Sequence, residues 1–310
     1  MTAPRDHGGG IDTARAVYGG TRADWLDLST GINPVPYPLT ALPPDAWTAL
    51  PDAAAMQALT DAARTFWQVP PAGQIVAAPG ASALIARLPG LHAGPAHIPQ
   101  PTYNEHRAAY DAMGKGGDAG PGAPVHVLVH PNNPDGRQWF DLPQGPTLTV
   151  VDESFCDVMP EASHVARAGQ SGLVILKSFG KFWGLAGLRL GFAIGGAEVG
   201  ALAQALGPWP VSGPALAIGT AALGDQDWAD AARARLAQDA ARLDRLMLAR
   251  GAQVAGGTTL FRLYRVDDAA LWQDRLARGR VLSRVFPYSA TWLRLGLPAP
   301  DRWAQLEAAL

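Results

Sequence analysis

Apolar positions along this chain change period several times, and each change marks an element. Over residues 52–69, Met56, Leu59, Ala63, Phe66 and Trp67 recur at steps of three and four, the spacing of one helix face. Residues 74–78 then form a short apolar run, and Pro79-Gly80-Ala81-Ser82 a turn in which Ser82 is placed to cap a helix over 83–88. The rhythm repeats with a helix over 105–113 and strands at 125–129, 147–151, 173–176 and 188–194. These runs show little polar alternation, as strands covered by helices on both faces should, so the core reads as α/β. Beyond Pro214 the texture becomes a long amphipathic helix with Trp228, Ala232, Leu236, Leu243 and Leu246 on one side. Shorter strands at 260–264, 281–284 and 292–295, with helices near 268–278 and 300–310, complete a smaller α+β region. The first fifty residues are rich in Gly and Pro, lack a sustained period and read as an extended arm. The expected division is therefore an arm over 1–50, a large domain over 51–212 and a small one over 213–310.

Composition narrows the function classes. Hydrophobic residues make up 48% of the chain and charged ones 17%, which suits a packed core and not a disordered chain. With 25 basic against 27 acidic residues and no basic run of five, neither nucleic acid nor an anionic membrane is an expected partner. A single cysteine, Cys156, forms no intrachain disulfide, and MTAPRDHGGG lacks the apolar stretch of a secretory signal, so the cytoplasm is the expected compartment. Apolar runs such as 173–176 are far short of the roughly 20 residues that cross a bilayer. Of the 25 basic residues only Lys115, Lys177 and Lys181 are lysine, leaving 22 arginines. Each lysine thus raises the question of whether an arginine, which forms no Schiff base, can take its place.

Four segments carry candidate chemistry. The turn Pro79-Gly80-Ala81-Ser82 offers backbone N–H groups at a helix start, which suit an anion as well as an ordinary capped turn. His130-Pro131-Asn132-Asn133-Pro134-Asp135-Gly136 is a cluster of turn formers after a strand. Asp152 places a carboxylate at the C-terminal end of a buried strand, where ligands of open α/β sheets gather. Lys181 follows a strand and a Ser-Phe-Gly turn and runs into Phe182-Trp183-Gly184-Leu185-Ala186-Gly187-Leu188, apolar surroundings suited to an amine nucleophile. No P-loop, G-x-G-x-x-G, G-x-S-x-G or helical His pair is present, so nucleotide, serine-hydrolase and metal chemistries are not expected.

Taken in order, an anion turn, an Asn-Pro turn, a strand-end Asp, a lysine and Arg189 resemble the fold-type I pyridoxal-phosphate enzymes of the aspartate aminotransferase superfamily. Within it, His7-Gly8-Gly9, Leu28-Ser29-Thr30-Gly31-Ile32-Asn33-Pro34 and the run from Ser178 to Arg189 are most similar to the threonine-phosphate decarboxylases. The resemblance implies an α/β fold with a mostly parallel sheet, helices on both faces and a smaller C-terminal α+β domain. It also implies pyridoxal 5'-phosphate as cofactor, a homodimer, and decarboxylation of a small phosphorylated amino acid, L-threonine O-3-phosphate, in cobalamin biosynthesis. Histidinol-phosphate or another amino-acid aminotransferase is the alternative, because both chemistries share the same cofactor contacts. By the same resemblance Lys181 holds the cofactor as a Schiff base and moves protons. Asp152 pairs with the pyridine nitrogen, Asn133 bonds O3', and Tyr103 stacks on the ring. The phosphate falls to Gly80, Ala81, Ser82, Ser178 and Arg189. Arg294, Arg284, His7 and Asn33 fall on the substrate.

The chain also departs from the superfamily's pattern. Leu50-Pro51-Asp52 stands where relatives often have Tyr-Pro-Asp, Phe155 where many have a tyrosine, and Gly180 where a Ser or Thr commonly precedes the lysine. Each substitution removes one expected contact to the cofactor.

Overall fold

The fold was described from a computed structural model, which describes residues 7–39, 41–117 and 119–310. Residues 1–6 and 40 of the arm lie outside the described residues. The chain divides into two compact units, one of residues 36–133 and 137–230, the other of 1–35, 134–136 and 231–310.

The first unit is built on a six-stranded sheet. Its strands, from one edge to the other, are Gln74–Ala78, Gly191–Gly195, Leu173–Ser178, Leu148–Asp152, Val125–Val129 and Ala96–His97. Four neighbours run parallel, whereas Gly191–Gly195 is antiparallel to both strands beside it. Every residue of Val125–Val129, Leu148–Asp152 and Gly191–Gly195 is buried. Because successive side chains point to opposite faces, both faces of the sheet are covered, as the unalternating runs predicted.

The helix Ala53–Phe66 starts where Asp52 accepts a hydrogen bond from the Ala55 backbone N–H at 2.7 Å. It buries Leu59 and Ala63 and packs against the helix Gly213–Leu223. Close approach there depends on Gly219, since a Cβ at that position would lie 2.5 Å from Leu190 and 2.9 Å from Leu59. The long helix expected beyond Pro214 is in fact two, Gly213–Leu223 and Gln226–Leu248, and the first is apolar nearly all round, with seven buried residues in its eleven.

In the second unit, Arg284–Phe286, Ser289–Gly296, Phe261–Arg265 and Gln253–Thr258 form an antiparallel sheet in that order. The expected strand at 281–284 is in fact two. Val281–Leu282 pairs in parallel with Leu26–Asp27, and after Ser283 the chain enters the other sheet at Arg284. The arm is not wholly extended either. Ile11–Tyr18 is a helix set between Gly10 and Gly19, and its Ile11 and Ala14 pack with Trp25 and Ala277. No helix among the described residues is long and apolar enough to cross a membrane.

Candidate active site

Sheet topology gathers the candidate residues of the first unit on one edge. The parallel strands place Asp152, Ser178 and the segments leading to Gly80, Tyr103 and Asn133 at their C-terminal ends. The reversed strand Gly191–Gly195 starts at that same edge, two residues after Arg189, with Gly191 in register with Ser178 and Ala78. Carboxyl ends of such sheets are where open α/β folds bind ligands.

Asp152 is buried and accepts three hydrogen bonds: from Nε2 of His106 at 2.8 Å, from the Ser154 N–H at 3.0 Å and from Ser154 Oγ at 2.5 Å. Burial pushes its carboxyl up, but the bonds and charge of His106 and the Ser154 donors outweigh burial and hold it below the usual carboxylate value. An ionised Asp152 only accepts, so Nε2 of His106 carries a proton. Tyr103 immediately precedes the helix Asn104–Ala112, and its ring meets His106 edge-on, centroids 6.0 Å apart. His106 escaped the sequence reading: it lies 46 residues from Asp152, and only its place three residues after Tyr103 on a helix start hinted at a role.

At the other end of this edge Gly80, Arg189 and Gly191 meet. Gly80 has φ +86°, and a Cβ there would lie 2.7 Å from Nη2 of Arg189. A Cβ at Gly191 would lie 2.4 Å from the Ala81 nitrogen. Both glycines thus let the turn pack directly against the guanidinium and the strand, where any side chain would clash. The helix spans Ala81–Ile85 with Gly80 at its cap, so Ser82 lies inside the first turn instead of capping a helix over 83–88. The positive φ of Gly80 starts the helix two residues early. The first-turn N–H groups of Ala81 and Ser82 have no partner within the helix. Ser178 Oγ accepts from the Gly180 N–H at 3.2 Å, and Arg189 itself holds a left-handed φ of 53°.

Lys181 carries its Nζ 5.1 Å from the ring centroid of Phe155. The aromatic residues after it in sequence turn elsewhere: Trp183 stacks between Phe179 and Trp228, with interplanar angles of 12° to both. Phe155, whose ring the amine faces, is the residue that stands where relatives often carry tyrosine. The other two lysines are committed. Lys177 is fully buried, 2.8 Å from Glu153 and 3.2 Å from Asp157. Lys115 donates to the carbonyls of Pro89 and His92. Asn133 is half-buried beside Asn132, whose side chain donates to the Pro101 carbonyl and accepts from Thr102, so Asn132 is the structural member of the pair.

The second unit holds the remaining four residues. Arg284 and Arg294 sit directly opposite each other on adjacent antiparallel strands, so their side chains share one face. Like charges so placed are unfavourable without an anion to share. Arg294 is buried, lies over the Phe261 ring and donates from Nη2 to the Ser29 carbonyl at 2.6 Å. The same Ser29 anchors the N-terminal segment, its Oγ accepting from the Gly9 N–H at 2.7 Å. Gly8 lies so close that a Cβ would come within 2.4 Å of the Ser29 oxygen, and His7 is exposed just before it. Asn33 is buried in the same unit and accepts from Arg235.

A family model for aminotransferases of class I and II matches residues 120–309. The chain belongs to the class I and II aminotransferase family. Its relatives in this family include a threonine-phosphate decarboxylase from Sinorhizobium sp, 41% identical over 97% of this chain and 95% of that protein. Another, from Pseudomonas aeruginosa, is 39% identical over 98% of this chain and 97% of the relative. Among solved structures, the histidinol-phosphate aminotransferase of Sinorhizobium meliloti in complex with pyridoxal-5'-phosphate superimposes with a TM-score of 0.78 at 19% identity, covering 99% of this chain and 94% of the other. That likeness establishes the aminotransferase fold, α/β with a mixed sheet and a smaller sheet-bearing unit.

Proposed function

We propose that this chain is a pyridoxal-phosphate-dependent carboxy-lyase converting L-threonine O-3-phosphate to (R)-1-amino-2-propanol O-2-phosphate and CO2, a step of cobalamin biosynthesis. The observation that carries the reading is likeness to threonine-phosphate decarboxylases along nearly the whole length of both chains, at 41% and 39% identity. The residues present fit the cofactor. Gly80 and Gly191 bring the Arg189 guanidinium against the turn whose Ala81 and Ser82 N–H groups have no partner within the helix, a donor set that suits a phosphate, and Asp152 is a buried carboxylate held ionised. In this reading Gly80, Ala81, Ser82, Ser178 and Arg189 hold the phosphate, Asp152 the pyridine nitrogen, Asn133 the O3' oxygen, Tyr103 the ring face and Lys181 the aldehyde carbon.

When bound, pyridoxal phosphate supplies the electron sink for the pair left on the substrate Cα as CO2 departs. Asp152 holds the proton on the ring nitrogen, because its own proton affinity is too low to leave it neutral at pH 7. Lys181 Nζ delivers a proton to Cα once the carboxylate has left. Arg284 and Arg294 bind the substrate's phosphate and carboxylate, with Asn33 and His7 completing the grip. Binding energy at the phosphate, remote from the reacting carbon, is thereby spent on orienting the bond that breaks. The same reading makes the protein a cytoplasmic homodimer. The exposed side chains of Leu39, Trp47 and Leu50 suit a surface that a second copy covers.

Threonine phosphate supplied alone should release CO2 with no keto-acid acceptor, and unphosphorylated threonine should react poorly. A parallel tube receives histidinol phosphate and 2-oxoglutarate. Glutamate in that tube, with no CO2 in the first, replaces this reading with an aminotransferase.

The Gly80 turn gives a further expectation. Gly80→Ala puts a methyl group 2.7 Å from the Arg189 guanidinium at a positive φ. Cofactor affinity should fall about tenfold or more, the worth of one charge-assisted hydrogen bond, as read by titrating cofactor absorbance. Unchanged affinity would place the phosphate elsewhere.

A further inference from the structure

Asp157 lies in the short turn Cys156–Val158 and is 3% exposed. Its Oδ1 accepts from the Trp67 indole N–H at 3.0 Å and from Lys177 Nζ at 3.2 Å, and its Oδ2 accepts from the Trp183 indole N–H at 3.2 Å. Lys177 and Trp183 flank Lys181 in the sequence. Lys177 belongs to the strand Leu173–Ser178, whereas Trp183 lies inside the turn that Lys181 starts, closed where the Gly184 N–H donates to the Lys181 carbonyl at 3.1 Å. One carboxyl group thus grips the chain on both sides of the lysine. Two residues before it, Phe155 presents its ring to the Lys181 amine.

We propose that Asp157 is a positioning residue for Lys181, fixing the lysine's turn through the Trp183 indole so that the amine stays against Phe155. Stacking between Phe179 and Trp228 sets the plane of the Trp183 ring but leaves it free to turn within that plane. The bond to Oδ2 removes that freedom. Condensation joins Nζ to an aldehyde carbon as water leaves, and a nitrogen already held in place reaches that carbon without first ordering its own turn. Trp67 gives the same carboxyl group an indole donor from the end of the helix Ala53–Phe66, away from the lysine, and so supplies a matched control.

The inference rests on the reading of Lys181 as the amine that holds the cofactor, and one set of assays separates the two. If borohydride reduction and peptide mapping of the wild-type holoenzyme find the cofactor on another lysine, that reading fails and the inference falls with it. If Lys181 carries it, Trp183→Phe, which keeps a stacked ring and removes the N–H, is the first test. Mixing the cofactor-free full chain with pyridoxal 5'-phosphate should then give a visible band that grows about tenfold more slowly than in the wild type. In the holoenzyme, kcat for threonine phosphate should fall by a similar factor with KM within about twofold. Trp67→Phe should lose as much melting temperature as Trp183→Phe, yet leave the attachment rate and kcat within about twofold. Asp157→Asn keeps an oxygen where Trp67 and Lys177 converge and turns NH2 toward the Trp183 N–H, so it should slow attachment as Trp183→Phe does. The double variant should be no slower than either. If Asp157→Asn fails to fold, the two tryptophan variants decide alone. No slowing in Trp183→Phe, equal slowing in Trp67→Phe, or effects of Asp157→Asn and Trp183→Phe that multiply would each overturn the inference.

Discussion

Lys181→Arg should abolish CO2 release from threonine phosphate, by more than about 10³-fold, and Lys181→Ala should do the same. Charge is not the reason. Only a neutral primary amine condenses with an aldehyde, and a guanidinium stays protonated throughout the accessible pH range. Borohydride reduction should therefore leave cofactor covalently attached to the wild type and to neither variant. The structure removes the obvious substitutes, because Lys177 is enclosed by two carboxylates and Lys115 is bonded to two carbonyls. Substantial turnover in Lys181→Arg would overturn the assignment of the amine.

Lys177→Met should leave the chemistry's amine in place and damage the fold instead. Glu153, Asp157 and Lys177 are all buried, and Glu153 also accepts from Ser163 Oγ and the His164 N–H, both at 2.6 Å. Burial pushes the Glu153 carboxyl up, but Lys177 and these donors outweigh it and hold it low. Burial likewise presses the Lys177 amine down, and the two carboxylates more than reverse that, raising it. Removing the cation strands the buried carboxylates, at a cost of about 3–5 kcal/mol.

The pH dependence gives the sign. In the wild type the lowered Glu153 contributes stability that is present above its unfolded value of about 4.3 and fades as pH falls through the folded one. The raised Lys177 contributes fully below about 10.4 and loses it as pH rises through its folded value. Without Lys177 the largest cause holding the Glu153 carboxyl down is gone, so it moves up from its wild-type position and acidification should cost the variant less stability than it costs the wild type, read as melting temperature against pH. A variant as stable as the wild type, with the same pH profile, would show the triad to be dispensable.

How much of this was legible beforehand depended on the kind of signal. The strands expected at 74–78 and 125–129 are Gln74–Ala78 and Val125–Val129, because short apolar runs between turn formers leave a buried strand little latitude. Gln253–Thr258 was missed, since its two glycines and exposed N-terminal half carry no apolar run. The helix Ile11–Tyr18 was hidden by the glycines around it, which end a helix without preventing one. At the site, residues within a motif were visible: Lys181, Ser178 and Arg189 lie on one short stretch, and Asp152 ends a strand. Partners brought in by the fold were not. His106 reaches Asp152, Arg235 reaches Asn33, and Glu153 reaches Lys177 across gaps that only parallel strands and packed helices close. The weight of Lys177 was hidden for the same reason, as a strand lysine reads as a surface residue until its neighbours are known.

The reversed strand Gly191–Gly195 makes the connection from Leu173–Ser178 a hairpin, closed by the pairing of Ser178 with Gly191. Lys181 stands near the start of that loop and Arg189 near its end, so the amine and the guanidinium are separated by a fixed length of tethered chain. A parallel crossover would have routed the path between them through a helix, and their spacing would then have depended on how that helix packed. Here the spacing is a ruler written in the sequence itself. Insertions between residues 181 and 189 alter the span it measures, whereas changes of length in loops at the opposite sheet edge leave it untouched.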